Sequence, residues 1–150
     1  MKISDALKNV HRFCIETAPF IYFVESHRDY VDKMRAVFRE VRTNHIDMIS
    51  SAVTLTEVLT KPLQVSDVGL ITSYRQMLLN TQGISLMPID IATAERAASL
   101  RADYQLKTPD AFQVATAIQS NCDAFLTNDK GIRRVREIDV LVLDDLELDT

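Results

Sequence analysis

An α/β fold with a mostly parallel central sheet and helices on both faces is the class this sequence predicts, and three observations carry it. Short apolar runs recur along the chain, as strands buried on both faces do. Between them lie segments whose apolar residues return every three or four positions, the mark of amphipathic helices. Only three Gly and four Pro punctuate the 150 residues, and there is no Trp. Such a composition argues against a Gly-rich sandwich and against a disordered chain.

The elements follow in order. Residues 1–11 read as a short polar helix capped by Ser4, with Leu7 and Val10 as its apolar contacts. Phe13-Cys14-Ile15 is a buried strand ending at Glu16. Pro19 suits the first turn of a helix carrying Phe20, Ile21, Phe23 and Val24. Tyr30, Met34, Val37, Phe38 and Val41 mark an amphipathic helix. Asp47 to Ser51 is a second strand, followed by a helix through Thr60 whose continuation past Lys61 Pro62 disfavours. Ser66 caps the next helix, with Leu70, Ile71, Tyr74 and Leu78 facing inward and Gly83 just beyond its end.

Ile84 to Pro88 is a third strand, and Asp90 caps a helix carrying Ile91, Ala94, Ala98 and Tyr104. Another helix opens with Thr108 as cap and Pro109 as its first residue, and carries Ala111, Val114, Ala115, Ile118 and Cys122. Ala124 to Thr127 and Val140 to Leu143 complete the strands. No repeat, low-complexity tract or long linker interrupts the pattern, so residues 1–150 read as one domain: an N-terminal extension over 1–11 and a core over 12–143.

The N-terminus has charge where a signal peptide needs an apolar core. No run approaches the roughly 20 apolar residues of a membrane span, so a cytoplasmic protein is expected. Cys14 and Cys122 lack metal-site spacing and read as reduced, buried small hydrophobes. A formal charge of −4 argues against a broadly basic nucleic-acid coat, although bound cations offset clustered carboxylates.

In open parallel sheets, ligands bind outside the carboxyl ends of the strands, near the point where strand order reverses. Glu16 ends the first strand, Asp129 follows the late strand through Thr127-Asn128, and Asp110 opens a helix. These three are expected to converge. Each also has a plainer explanation. Asp110 complements a helix dipole. Glu57 lies at capping-box spacing from Thr54, a reading that fails if the helix begins at Ser51. Asp129 sits in a turn sequence, Thr127-Asn128-Asp129-Lys130-Gly131. Glu16, directly after a buried strand, loses hydration unless something replaces it. Taken together, clustered carboxylates suit hard cations such as Mg²⁺ or Mn²⁺, which two-metal sites use in phosphodiester cleavage.

Three stretches resemble the PIN domains, especially the VapC-like ribonucleases of bacterial toxin–antitoxin pairs. Ile15-Glu16-Thr17-Ala18-Pro19-Phe20-Ile21-Tyr22 resembles the family's first strand and acidic loop. Ser51 to Leu59 resembles the segment supplying a second acid, here Glu57. Thr108-Pro109-Asp110-Ala111, running on to Phe125-Leu126-Thr127-Asn128-Asp129, resembles the family's Pro-Asp-Ala helix start and Thr-Asn-Asp strand end.

The resemblance implies a three-layer α/β/α PIN-like domain with a mostly parallel sheet. It implies Glu16 and Asp110 as the main ligands of Mg²⁺ or Mn²⁺, with Glu57 and Asp129 completing the pocket and Thr127 and Asn128 orienting them. The implied activity is metal-dependent hydrolysis of RNA by a toxin ribonuclease, with a small antitoxin as partner and a homodimer as the usual assembly. Where the family usually has Asp, this chain has Glu16, whose carboxylate sits one methylene further along a more flexible stem. A catalytically weak PIN-fold protein that binds RNA or a partner is therefore an alternative, as is a nuclease acting outside any toxin pair. Lys130, Arg133, Arg134 and Arg136 follow Asp129 and are candidates for RNA phosphates, with a solvated basic face as the plainer reading. His11, His27 and His45 have no mutual spacing that suggests a site. Asp123 reads as a loop acid.

Overall fold

The computed structural model describes residues 1–150. Five strands, β1 (Arg12–Ile15), β2 (Asp47–Ser51), β3 (Ile84–Met87), β4 (Ala124–Thr127) and β5 (Asp139–Val142), form one sheet in the order β3-β2-β1-β4-β5. Every pairing is parallel, among them Cys14 with Ile49 of β2 and Phe125 of β4. The α/β class is thus observed, and each expected strand is present, although the third ends at Met87 rather than Pro88 and the last runs Asp139–Val142, with Leu143 opening a 3₁₀ turn.

The helices are α1 (Ile3–Leu7), α2 (Thr17–Val24), α3 (Val31–Thr43), α4 (Ala52–Gln64), α5 (Val68–Asn80), α6 (Ile91–Tyr104) and α7 (Thr108–Gln119), with a 3₁₀ turn at Lys130–Arg134 after β4. Side chains alternate across a strand, so the central strands β1 and β4 feed two cores. Phe13, Ile15, Ala124 and Leu126 pack with Ile3, Leu7, Phe20, Met34, Val58 and Tyr74 from α1 to α5. Cys14 and Phe125 pack on the opposite face with Ala97, Leu100, Val114 and Ile132.

This division follows from connection handedness. The chain steps outward from β1 to β2 to β3, then returns past β1 to β4 and β5. Crossovers between parallel strands keep one hand, so reversing direction moves the connecting helices to the other face. The reversal also creates the switch point, between β1 and β4.

Several local expectations are corrected. α1 is shorter than 1–11 and starts after Lys2; Ser4 lies inside it and binds Asp149 through its backbone N–H and hydroxyl. Pro62 does not end α4, which runs to Gln64 with the Pro62 ring buried; one missing N–H near the helix end forfeits a single bond. Asp67, not Ser66, caps α5, accepting from Leu70 N at 3.1 Å, while Ser66 takes a left-handed φ of 56° in the turn before it. Asp90 does cap α6, through Thr93 N at 2.8 Å. The buried stripe of α6, however, is Thr93, Ala97 and Leu100; Ala94 and Ala98 are exposed and Ile91 is 79% exposed. Lys107 is the cap of α7, so Thr108 and Pro109 are its first two residues, and Cys122 lies beyond its end. Cys14 and Cys122 are free thiols near one another: contact with Cys122 and burial push the Cys14 thiol up. No helix is long and apolar enough to cross a membrane.

Candidate active site

The acidic pocket lies at the carboxyl ends of β1 and β4. Glu16 leaves β1 as the last residue before α2, only 8% exposed. Its Oε1 accepts from Thr127 Oγ1 at 2.7 Å and from Asn128 N at 3.4 Å. Burial raises its carboxyl from the ordinary 4.5 to about 7, helped by the charges of Asp110 and Asp129 and opposed by the Thr127 and Asn128 donors. A carboxylate buried this way calls for a positive charge.

Asp110, half-buried in the first turn of α7, is also raised: burial first, then the charges of Asp129 and Glu57, with Lys107 and Arg134 acting the other way. Asp129 is exposed just after β4. Its Oδ1 accepts from Gly131 N at 2.8 Å, and its own N–H donates to Thr127 Oγ1 at 2.9 Å. A Cβ at position 131 would stand 3.1 Å from that same Oδ1, so Gly suits the turn.

Glu57 reaches the pocket from α4. Ser51 precedes the helix and Thr54 lies within it, so Glu57 falls past the cap and forms no capping box with Thr54. Thr17 Oγ1 donates to Glu57 Oε1 at 2.7 Å. Glu16, Asp110 and Asp129 are therefore mutually coupled, and Glu57 joins them through Asp110. No three acidic, His or Cys side chains are grouped so as to hold a metal ion.

The basic residues after Asp129 separate. Arg133 is ion-paired with Asp145. Arg134 donates from Nε to Tyr104 O at 2.8 Å and bears on Asp110. Lys130 and Arg136 are exposed. Asp123 stands at the opposite, amino end of β1, accepting from His11 N at 2.7 Å and Arg12 N at 3.0 Å. A surface concavity of about 1060 Å³, lined by Phe23, Phe38, Met48, Met77 and Ile84, opens at the amino ends of β2 and β3 and contains none of the four acids.

Sequence reasoning missed Gln113, 2% exposed on α7. Its Nε2 donates to Thr54 Oγ1 at 2.8 Å and Thr17 Oγ1 at 3.0 Å, and its Oε1 accepts from Ser51 Oγ at 2.8 Å. The signal was available: Gln113 lies three residues after Asp110 and four before Ala117, on the inward stripe of the helix. Lys107, facing Asp110, was missed as well.

The pocket offers only oxygen donors, which suits a hard divalent cation better than zinc. Mg²⁺ commonly keeps several waters and uses one or two carboxylates, so separated acids fit it. A cation would also offset the burial, and the lesser repulsion, that raise Glu16 and Asp110.

The chain belongs to the PIN domain family, whose profile matches residues 13–138. Among solved structures it is similar to VapBC2 from Rickettsia felis bound to a promoter DNA fragment, at 13% identity and a TM-score of 0.65, covering 87% of this chain and 98% of that one. It is also similar to a toxin–antitoxin complex from Klebsiella pneumoniae, at 20% identity and 0.63 over 87% and 96% of the two chains. VapBC-1 from nontypeable Haemophilus influenzae matches at 12% identity and 0.62, over 89% and 99%. At these identities the likeness is one of fold. No curated protein matches by sequence.

Proposed function

We propose that this PIN-domain protein is a metal-dependent endoribonuclease that hydrolyses RNA phosphodiester bonds and acts as the toxin of a toxin–antitoxin pair in the cytoplasm. The observation that supports the reading most is the electrostatic coupling of Glu16, Asp110 and Asp129 at the switch point, with Glu57 beside Asp110. Glu16 and Asp110 would be the main holders of Mg²⁺ or Mn²⁺, and Glu57 and Asp129 would complete the set. When bound, such an ion supplies activation of water and neutralises charge on the phosphodiester.

The chain's own groups do the rest. Thr127 Oγ1 and Asn128 N hold Glu16 in place. Burial excludes bulk water around Glu16 and strengthens its interaction with any cation. Exposed Lys130, with Arg134, would bind RNA phosphates. Water is the nucleophile, and no side chain becomes covalently attached.

The solved relatives include toxin–antitoxin complexes, which supports a small antitoxin as partner; a homodimer belongs to the same reading. Cleavage of a mixed RNA pool, with and without EDTA, tests the activity. Asp110→Asn is expected to abolish cleavage, and a variant as active as the parent would sink the assignment. Growth arrest on expression, relieved by a neighbouring small gene product, tests the toxin role.

A second reading, a catalytically weak PIN-fold protein that binds RNA or a partner, is favoured by Glu16 standing where the family usually has Asp. It predicts RNA binding without EDTA-sensitive cleavage.

A further inference from the structure

We propose that Tyr22, His27 and Tyr30 form a stacking platform for a base of single-stranded RNA, beside the nucleotide whose phosphate lies at the acidic pocket. This deepens the ribonuclease reading and rests on it. The rings of Tyr22 and Tyr30 stack with centroids 4.4 Å apart and planes 20° off parallel. His27 lies 5.0 Å from each of them. A ring capping the outer face of either tyrosine would lie far closer to that one than to the other. The imidazole therefore stands beside the stack and covers neither outer face. His27 is exposed and both tyrosines are partly so. The chain builds the cluster locally. Ser26, left-handed at φ 52°, turns the chain after α2. His27 N–H then returns to Tyr22 O at 2.9 Å, and His27 O accepts from Tyr30 N at 3.1 Å and Val31 N at 2.8 Å. Rings fixed this way lose little freedom when a base stacks on them.

Asn128 ties the platform to the pocket. Its N–H donates to Glu16 Oε1 at 3.4 Å, and its Nδ2 donates to the Tyr22 hydroxyl at 3.4 Å. Its Oδ1 accepts from Asp144 N at 2.9 Å, and Asp144 Oδ1 accepts from the Tyr30 hydroxyl at 2.7 Å. Both hydroxyls are thus engaged, and what the tyrosines have left to offer is ring surface. Asp29, Asp32 and Asp145 around the cluster are each paired with an arginine. Lys33 Nζ stands beside Asp144, donating to its backbone O at 3.4 Å. A polyanion therefore meets little unbalanced negative charge there. A strand with one phosphate over the acids would continue past Asn128 onto the rings. Every base has a π-face, so such a platform takes single strands without reading their sequence. Bases in a duplex are stacked on one another and cannot reach it.

The test is fluorescence anisotropy in an Asp110→Asn background, with a short labelled single-stranded RNA of mixed sequence and an abasic strand of the same length. Tyr30→Leu is expected to weaken binding of the intact strand about tenfold and His27→Ala about fivefold. Both are expected to leave the abasic strand unchanged. Tyr30→Phe keeps the ring, gives up the Asp144 bond and is expected to bind like its background. A merely structural role would weaken both strands together. His27 is exposed, so His27→Ala carries the test if Tyr30→Leu fails to fold. Unchanged binding of the intact strand in His27→Ala, or an equal loss on the two strands, overturns the inference while leaving the ribonuclease reading standing. Wild-type protein that neither cleaves nor binds RNA overturns that reading itself.

Discussion

Replacing Glu16 with Gln is expected to make the metal-free protein markedly more stable at pH 8 and to change it little at pH 5. In the folded chain burial lifts this carboxyl from 4.5 to about 7. Between those values the native state holds a proton that the unfolded chain has released, so stability falls as pH rises across the interval and levels off above it. At about 1.36 kcal/mol per pH unit, the interval from 4.5 to about 7 amounts to about 3 kcal/mol. For a chain of this length that corresponds to a Tm change of roughly 6–12 °C. Gln keeps an oxygen acceptor for Thr127 Oγ1 and Asn128 N, so the variant loses the charge and little else. Thermal unfolding followed by circular dichroism in EDTA, at four pH values from 5 to 8, measures the difference for both proteins. Asp110 and Asp129 repel Glu16, so the difference reports the Glu16 charge together with that repulsion. A gap between variant and wild type that does not widen with pH would refute the assignment of a buried, proton-retaining Glu16. Saturating Mn²⁺ is expected to close or invert the gap, because a cation favours the ionised wild-type group.

Other outcomes follow from the same structure. Phe125→Ala, at a fully buried position of β4, is expected to cost about 3–5 kcal/mol in denaturant unfolding; a loss below about 1 kcal/mol would mean the site collapses around the gap. Asp123→Asn is expected to cost about 1 kcal/mol at neutral pH through its bonds to the N–H groups of His11 and Arg12. Those donors hold the Asp123 carboxyl below its ordinary 3.8, so its stabilisation is present above that value. The gap between Asp123→Asn and wild type should shrink as the pH falls through the lowered value, as unfolding at pH 3 and pH 7 would show. Lys130→Ala, in an Asp110→Asn background, is expected to weaken single-stranded RNA binding evenly across sequences and to flatten the salt dependence by about 0.7 in log–log slope. Arg133→Ala, whose charge is already paired with Asp145, should change that slope less; fluorescence anisotropy at several salt concentrations compares them.

Much of the fold was legible because local chemistry decides it. β2 and β4 were readable to their end residues, since a parallel strand buried on both faces needs a continuous apolar or small-residue run that its neighbours break. Glu16, Asp110 and Asp129 were legible as a group because strand ends and helix starts share one edge in any such sheet. Helix limits were less legible. Pro62 looks like a stop in sequence, yet packing of its ring outweighs one lost hydrogen bond. Ile91, Ala94 and Ala98 suggest an inward face, but contact with α7 selects Thr93, Ala97 and Leu100 instead.

By itself, the sequence determined the element types, the parallel character of the sheet and the edge at which its acids gather, because periodicity and strand termini are properties of neighbouring residues. Tertiary structure alone decided the strand order, the burial that raises the Glu16 carboxyl, and the donors that reach Glu16, Glu57 and Asp129. Those depend on groups far apart in the chain, such as Thr17 with Glu57 and Thr127 with Glu16, which meet only once the crossovers have folded back across β1.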